Sequence, residues 1–517
     1  MRTFNLWALG LALFMAAYGS GLAKSPGYTD DGLRVAESDA DMVAGAAADI
    51  GINAVETEWS KAYWPNGADQ EEEALAVASG WSAGLPPAGA FSYFSYTLAK
   101  QGRNAMVLKL NDAGTPISSF GTAGWRQITL PSSWISLNNA TFGANSALLG
   151  RDYKRAYFVG SVLRGTAPNR HTDMGVLCFD FTVSDGRCAG WPSSSVSYVG
   201  FDHGGSNYDW GDVIAFDPDG YIYVAGVVTN AQGTAVGVAR LHAASGALDT
   251  SFNGTGKRSY VFNYASNGGA YAPKVTSVAF APAGSPGGKF LYVGGSFQSS
   301  NGSRDGFVLQ VAPASAAYRM KQILYENDNP FYMSDEVTAL TVLADGKVAF
   351  AGWSETDSSN FPALLLGRIQ PDFFYDSTFC GYGVCAYAQN GSLLVSQVRN
   401  IRPSAIGERQ PSGDLVIALN GEQRVNAPLG PYTARQRLQV WNPSGTSYRF
   451  GTDLSYFATP GHFENAWAAG MEVDGSAVLL SGWRRYGDTD TDVTVSSLLI
   501  TDPPPSVSIF KDGFEGM

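Results

Sequence analysis

Short runs of consecutive apolar residues recur along the whole chain, each opened by an Asp- or Gly-containing turn and closed by a small residue. The clearest unit begins at Val213. It reads as a strand VIAFD, a turn Pro218-Asp219-Gly220, and a second strand YIYVAG ending at Gly226. A variable loop leads to VGVARLHAASGALDTSFNGTGKRSYVF, which reads as a third strand, a Gly-rich turn and a short fourth strand ending at Phe262. Related second strands are predicted at Ala74–Trp81, Arg155–Ser161, Lys289–Ser296, Lys347–Ser354, Asp414–Gly421 and Ala477–Trp483. Taking Gly80, Gly160, Gly226, Gly295, Gly352, Asn420 and Gly482 as equivalent gives a mean spacing of about 67 residues, longer than the ~40–50 of compact blade repeats. The loops are therefore enlarged.

Seven such units predict an all-β chain, a β-propeller of about seven four-stranded blades. The strands are apolar on successive residues and do not alternate, as expected where a sheet is buried on both faces. A stacked sandwich or several unrelated β-domains is the alternative, since the copies at 145–200 and 404–450 keep only the strand pattern. Long helical patterns are nearly absent, and residues 68–78 read as a polar turn entering a strand.

The seventh unit ends at Val493–Ile500 and runs straight into Asp502-Pro503-Pro504-Pro505, leaving no fourth strand. Near the N-terminus, Thr29–Ser38 has the pattern of a turn followed by a fourth strand. Leu33–Glu37 is therefore expected to complete the last blade, closing the ring and removing an exposed sheet edge. Residues 502–517 read as a separate Pro-rich tail.

Strand parity divides the loops between two faces. The first-to-second and third-to-fourth connections are expected to be short turns such as Asp217-Pro218-Asp219-Gly220, Asp345-Gly346, Ser444-Gly445 and Asp474-Gly475. The other face is expected to carry the long loops: 82–103, 131–146, 161–173, 263–275, 325–336, 387–402, 420–435 and 451–466. Long loops on a rigid scaffold are where binding usually resides.

Composition agrees with many turns and few helices: 61 Gly, 13% aromatic residues and only 15% charged residues, against a usual ~25% charged. A net charge of −12 argues against the basic face that phosphate neutralisation requires, so nucleic acid is not an expected partner. Residues 1–23 read as a signal peptide, with Arg2, an apolar run from Leu6 to Tyr18 and small residues up to Ala23. That run is shorter than the ~20 residues of a membrane span, and no later stretch qualifies. The expectation is an exported monomer, its propeller occupying 24–501. The four cysteines fall into two close pairs, Cys178/Cys188 and Cys380/Cys385, and export makes local disulfides the expected pairing. Neither pair has the His or second CxxC of a zinc site.

Two segments carry a family resemblance. VARLHAASGALDTSFNGTGK (Val238–Lys257) and VLKLNDAGTPISSFGTAGW (Val107–Trp125) resemble the bacterial delta-60 repeat, and LLLGRIQPDFFYDSTFCGYG matches it in part. That resemblance implies a propeller-like fold in exported proteins and no particular activity. The ending IFKDGFEGM is similar to a short "DGFE" terminus of some exported Gram-negative proteins, implying a periplasmic or extracellular location. In LDTSF, Asp249, Thr250 and Ser251 are placed to accept local backbone hydrogen bonds, while Gly254 and Gly256 allow positive φ.

Candidate chemistry is sparse. Trp81, Trp353 and Trp483 each follow a second-strand Gly and are expected to form a rim on the long-loop face, stacking on sugars or a partner. Packing between blades is the plainer explanation for them. Asp488, Asp490 and Asp492 alternate as calcium ligands can, but the Gly and distal Glu of a calcium loop are missing. No other cofactor is implied. His171, His203, His242 and His462 lie far apart, and no nucleophile elbow or phosphate loop occurs. LNDAGTPI (Leu110–Ile117) is an incomplete match to a sialidase Asp-box, which is in any case a structural turn. The reading is a non-catalytic propeller binding a protein or glycan. A glycan hydrolase or lyase, or a purely structural surface component, are the alternatives.

Overall fold

The computed structural model describes residues 54–63, 72–83, 91–143, 150–151, 153–166, 169–202, 207–230, 233–262, 272–281, 284–298, 303–325, 334–355, 362–387, 398–424, 432–446, 448–454, 465–486 and 490–501. Among them every regular element is a strand, and all strand pairings within the sheets are antiparallel. Seven sheets form the blades of a β-propeller.

From the channel outward, blade 1 is Glu72–Ala83, Phe91–Gln101, Asn104–Asn111 and Trp125–Thr129. Blade 2 is Trp134–Phe142, Arg155–Arg164, His171–Asp180 and Val196–Val199. Blade 3 is Val213–Asp217, Tyr221–Asn230, Gly233–His242 and Lys257–Tyr260. Blade 4 is Pro273–Ala281, Phe290–Gln298, Arg304–Val311 and Tyr318–Ile323. Blade 5 is Asp335–Val342, Val348–Glu355, Pro362–Ile369 and Val384–Tyr387. Blade 6 is Val398–Arg409, Asp414–Arg424, Tyr432–Trp441 and Tyr448–Leu454. Blade 7 takes Asn465–Asp474, Ala477–Tyr486 and Asp490–Thr501 from the C-terminal end, and its outer strand, Ala54–Tyr63, from the N-terminal end. The inner strands of neighbouring blades touch around the whole circle, blade 7 to blade 1 included.

The ring thus closes through an N-terminal strand, but not the expected one. Ala54–Tyr63 pairs with Asp490–Thr501 from Ala54 opposite Thr501 to Tyr63 opposite Val493, so the edge assigned to Leu33–Glu37 is already occupied. Leu33–Glu37 lies outside the described residues, as do the signal-peptide and tail segments. The error has a simple origin: both segments lie before the first blade, and a short outer strand carries little apolar signal of its own.

Each interface between blades holds its own apolar cluster, which explains the unbroken hydrophobic runs. In blade 3, Ile222 and Val224 pack toward blade 2, whereas Tyr223 and Ala225, one residue out of phase, pack toward blade 4. Both faces of the strand are core, so alternation disappears.

The ARL…LDTSF motif locks successive blades together. Arg240 on the third strand of blade 3 pairs with Asp249 at 2.5 Å and donates to the Pro313 carbonyl of blade 4 at 2.7 Å. Asp249 in turn accepts the Ser251 amide at 3.0 Å, and Gly254 and Gly256 have φ of 73° and 81°. Blade 5 repeats the device with Arg368, Asp376 and the Pro443 carbonyl of blade 6. Phe252 and Phe379, the aromatic residues of the two motifs, are fully buried.

Both expected disulfides form. Cys178–Cys188 ties the third strand of blade 2 to the following loop, and Cys380–Cys385 ties the same loop of blade 5 to its outer strand, with Cα separations of 5.9 and 6.0 Å.

Candidate functional site

A β-bulge near the start of the inner strands organises the channel mouth. The inner-to-second-strand register skips one residue between Ala74 and Ala76, Leu137 and Asn139, Val275 and Ser277, Val337 and Ala339, and Ala468 and Gly470. A small second-strand residue, Gly or Ala, faces each of these bulges because there is little room for more, whereas Leu419 faces the one between Pro403 and Ala405 in blade 6. A Cβ on Gly160, Gly226, Gly295 or Gly352 would lie 1.9 Å from an inner-strand carbonyl oxygen. These are the repeat glycines of the sequence, and close backbone approach is the reason for them.

Two residues before each bulge, the inner strand presents a side chain at the mouth on the face carrying the second-to-third and blade-to-blade connections. The position is held by Lys274, Glu336, Arg402 and Trp467 in blades 4 to 7; in blade 3 Trp210, just ahead of the inner strand, takes the corresponding place, its carbonyl facing Gly226 as that of Trp467 faces Gly482. Their second-strand partners in register are Ser296, Trp353 and Asn420 for the three charged residues, and Trp483 for Trp467.

Two of the three candidate tryptophans, Trp353 and Trp483, therefore share this belt. Trp81 does not. Ala74–Trp81 belongs to the inner strand of blade 1, and Phe91–Gln101 supplies the second strand, so Gly80 is not equivalent to Gly226. Trp81 lies at the far end of that strand, opposite Tyr93, where Gly150–Arg151 from blade 2 also pairs. In blade 1 the inner-strand position of the belt is Glu73, ion-paired at 2.8 Å to its second-strand partner Lys100. An inner strand buried against two neighbouring blades looks as apolar as a second strand, and only the pairing separates them. The same slip made a loop of 82–103, of which Phe91–Gln101 is strand; Tyr93, Phe94 and Tyr96 lie in it. On the opposite face, the loops 112–124, 181–195, 243–256 and 370–383 are longer than the short turns expected there, and the motif folds them back onto the blades.

The belt is aromatic at two places and charged between them. Trp467 and Trp483 stack with centroids 4.1 Å apart, and Tyr208 stacks on Trp210 at 5.9 Å. Tyr208 and Trp210 are 37% and 38% exposed, whereas Trp353 is only 9% exposed because the Arg402 guanidinium covers it at 3.9 Å. Lys274 bonds Glu336 at 2.6 Å, and Ser296 donates to the same carboxylate at 3.2 Å.

One residue further out, two carboxylates clamp the loops entering the mouth. Asp209 accepts the Phe201 amide at 2.7 Å, and Asp335 accepts the Tyr325 amide at 3.1 Å, at matching places in blades 3 and 5. Burial raises Asp209 to about 6 and Asp335 to about 7; just before the inner strand of blade 3, burial raises Asp212 to about 7. The Phe201, Tyr325 and Val227 amides oppose these rises without cancelling them.

Of the calcium candidates, Asp488 lies outside the described residues and only the backbone of Asp490 is described. Asp492 is engaged by Arg484 at 2.9 Å. Among the described residues, no three His, Cys, Asp or Glu side chains gather as a metal site. The Asp-box-like turn is structural: Asn111 accepts the amides of Ala113 and Thr115.

A groove of about 540 Å³ lies on the opposite face between blades 5 and 6, with Lys347, Arg368 and Glu408 in its wall. Lys347 and Arg368 are both spent on Asp376, and Glu408 accepts the Ala344 amide at 2.7 Å. This chemistry is directed inward, into the blade clamp, and the mouth belt is the better candidate.

A family described as a domain of unknown function (DUF5122) beta-propeller matches residues 218–252, within blade 3. No curated protein matches the chain. Among solved structures, a protein of unknown function from Dyadobacter fermentans is 9% identical over 86% of this chain and 99% of its own, with a TM-score of 0.38. Trypanosoma rangeli sialidase in complex with the inhibitor DANA is 10% identical over 72% and 56%, with a TM-score of 0.36. The polysaccharide lyase Uly1 is 10% identical over 67% and 88%, with a TM-score of 0.32. Likeness at this level carries no activity across.

Proposed function

We propose that this chain is an exported, non-catalytic propeller that binds a glycan or a protein partner at the mouth formed by its belt. The observation that carries the reading is the pair of aromatic stacks, Trp467–Trp483 and Tyr208–Trp210, at corresponding places in blades 7 and 3. The exposed Tyr208–Trp210 pair and the half-buried Trp467–Trp483 pair offer flat apolar surface with a polar edge, suited to a pyranose ring or a partner side chain. The two local disulfides support export, since such bonds persist in oxidising compartments.

The test is a screen of the mature protein against glycans and envelope extract, alongside Trp467→Ala and Trp210→Ala. Capture lost in both variants, with melting temperature unchanged, supports the mouth as the binding surface. Capture equal in all three sinks it.

A glycan-cleaving reading rests on Asp335, a carboxyl titrating near neutrality close to Glu355. Its bond to the Tyr325 amide gives it a structural task in the loop clamp. Turnover of any bound glycan, abolished by Asp335→Asn, would establish the enzyme instead.

A further inference from the structure

One turn is built four times on the face opposite the mouth. At the end of the third strand in blades 1, 3, 4 and 5, the amides of Asn111, His242, Ala312 and Gln370 donate to the carbonyls of Thr115, Ala247, Ala317 and Phe374 at 2.8–2.9 Å. All four accepting residues are exposed. Three of them are small, so the turn itself does not require a large side chain there. Phe374 is nevertheless 65% exposed, more than any other large apolar side chain among the described residues, while its neighbour Phe373 is buried in the core. A single exposed apolar residue is ordinary. What distinguishes Phe374 is the charge beside it.

The outer strand of blade 4, Tyr318–Ile323, lies against this turn. Arg319 and Lys321, two residues apart, project from one side of that strand. Arg319 donates to the Asp372 carbonyl at 2.9 Å, and the Lys321 ammonium stands 5.5 Å from the centre of the Phe374 ring and 4.7 Å from that of Tyr375. Neither cation has a carboxylate within ion-pair distance among the described residues. Asp372 is near enough to act on Lys321, but its carboxylate accepts the Phe374 amide at 3.1 Å. Burial lowers the pKa of Lys321, and an approaching anion favours its charged form. Other cations on this face are spent: Lys289, Lys347 and Arg368 each hold a carboxylate at 3.3 Å or closer. Around the same strand end the Arg258 guanidinium lies 5.4 Å from the centre of the exposed Tyr318 ring.

We propose that this rim of blades 4 and 5 docks on an anionic lipid surface, with Phe374 entering the headgroup layer and Arg319 and Lys321 meeting lipid phosphates. The ring stands on the outside of a turn, and a soft headgroup layer takes such a tip without a complementary pocket. Charge selects the place. A chain of net charge −12 is repelled by an anionic surface from most directions, so contact falls where cations stand without carboxylates. Docking here keeps the mouth belt, on the opposite face, away from the lipid. An acidic protein partner is an outcome of the test.

The experiment is flotation of the mature protein with vesicles of equal parts phosphatidylethanolamine and phosphatidylglycerol, beside vesicles of phosphatidylcholine alone. The protein should float with the anionic vesicles, stay behind with the neutral ones, and be released as salt rises to about 0.5 M. Phe374→Ala installs the residue that blades 3 and 4 carry at this turn, so it should fold normally while partitioning about tenfold less. Arg319→Gln with Lys321→Gln should reduce partitioning about tenfold or more. If that double variant fails to fold, Lys321→Gln alone carries the test with a loss of about fivefold. Equal flotation with both vesicle types, or undiminished flotation of Phe374→Ala, overturns the proposal. Absence of flotation overturns it too, and retention of poly-glutamate by the unaltered protein, lost in the double variant, then assigns the rim to an acidic protein partner.

Discussion

Arg240 in blade 3 donates to the Pro313 carbonyl in blade 4 at 2.7 Å while its other terminal nitrogen lies 2.5 Å from Asp249. The repeat motif is therefore an interface device, because its Arg serves the next blade as well as its own. Arg240→Met leaves Asp249 buried without its cation and should cost about 3 kcal/mol. Urea denaturation measures the loss, and Arg240→Met combined with Asp249→Leu should recover much of it, since no charge then remains unpaired.

The equivalent Asp376 gives the motif a pH signature. Burial works against its charge, but the Thr378 hydroxyl and amide, with Arg368 and Lys347, hold it down at about 2. Its value is depressed on folding, so its stabilisation is complete above the unfolded value of ~4 and disappears as pH falls from there toward 2. Melting temperature followed from pH 5 to 2 should drop less steeply in Asp376→Asn than in the unaltered protein. Parallel curves would contradict the assignment.

Asp335 predicts the opposite trend. Raised to about 7 on folding, it contributes stability that is full below ~4 and lost as pH rises through 7. Asp335→Asn keeps an acceptor for the Tyr325 amide without a charge to bury. It should match the unaltered protein at or below about pH 3.5 and melt about 1–3 °C higher at pH 8, where the whole difference has developed. A variant less stable at both values would show that the clamp requires the ionised form.

The glycines facing the bulges are steric requirements. In Gly352→Val the new Cβ would fall 1.9 Å from the Glu336 carbonyl oxygen, and the strand pair cannot open without dislodging Trp353 and Arg402. The expected loss is about 3 kcal/mol, at the upper end of the overpacking range. Gly220→Ala, at a position with φ of 92° and nothing within 4 Å, should cost only its backbone strain, about 1 kcal/mol. Chemical denaturation of the pair separates crowding from conformation.

Ring closure can be tested by truncation. Removing residues 24–63 takes away Ala54–Tyr63 and exposes the edge of Asp490–Thr501, whereas removing 24–50 leaves that strand in place. The longer deletion should lower the melting temperature sharply and promote edge-to-edge association, read by light scattering. The shorter deletion should change neither. An equal drop in both would return the closing role to the earlier segment.

Blade number, the local cysteine pairs and the identity of five second strands as Gly-terminated repeats were all legible in the chain itself. They rest on local signals: apolar runs of strand length, turn residues, and cysteines in two close pairs across turns, whose local bridging is the simplest of three possible connectivities. Of the LDTSF turn only the local part was legible: Asp249 accepts the Ser251 amide two residues on, whereas the Ser251 hydroxyl accepts Arg240 from the third strand.

What the tertiary structure decided was which strand lies innermost and what meets across blades. Ala74–Trp81 and Phe91–Gln101 are similar in apolar content, and only the packing of blade 1 against blades 2 and 7 shows the first to be the inner strand. Closure by Ala54–Tyr63 depends on a partner more than four hundred residues away. The mouth belt was invisible for the same physical reason. Lys274, Glu336, Arg402 and Trp467 stand on four different blades, and no periodicity along a chain with loops of unequal length brings them together. A propeller's blades are written locally in sequence, while its mouth exists only where the ring closes.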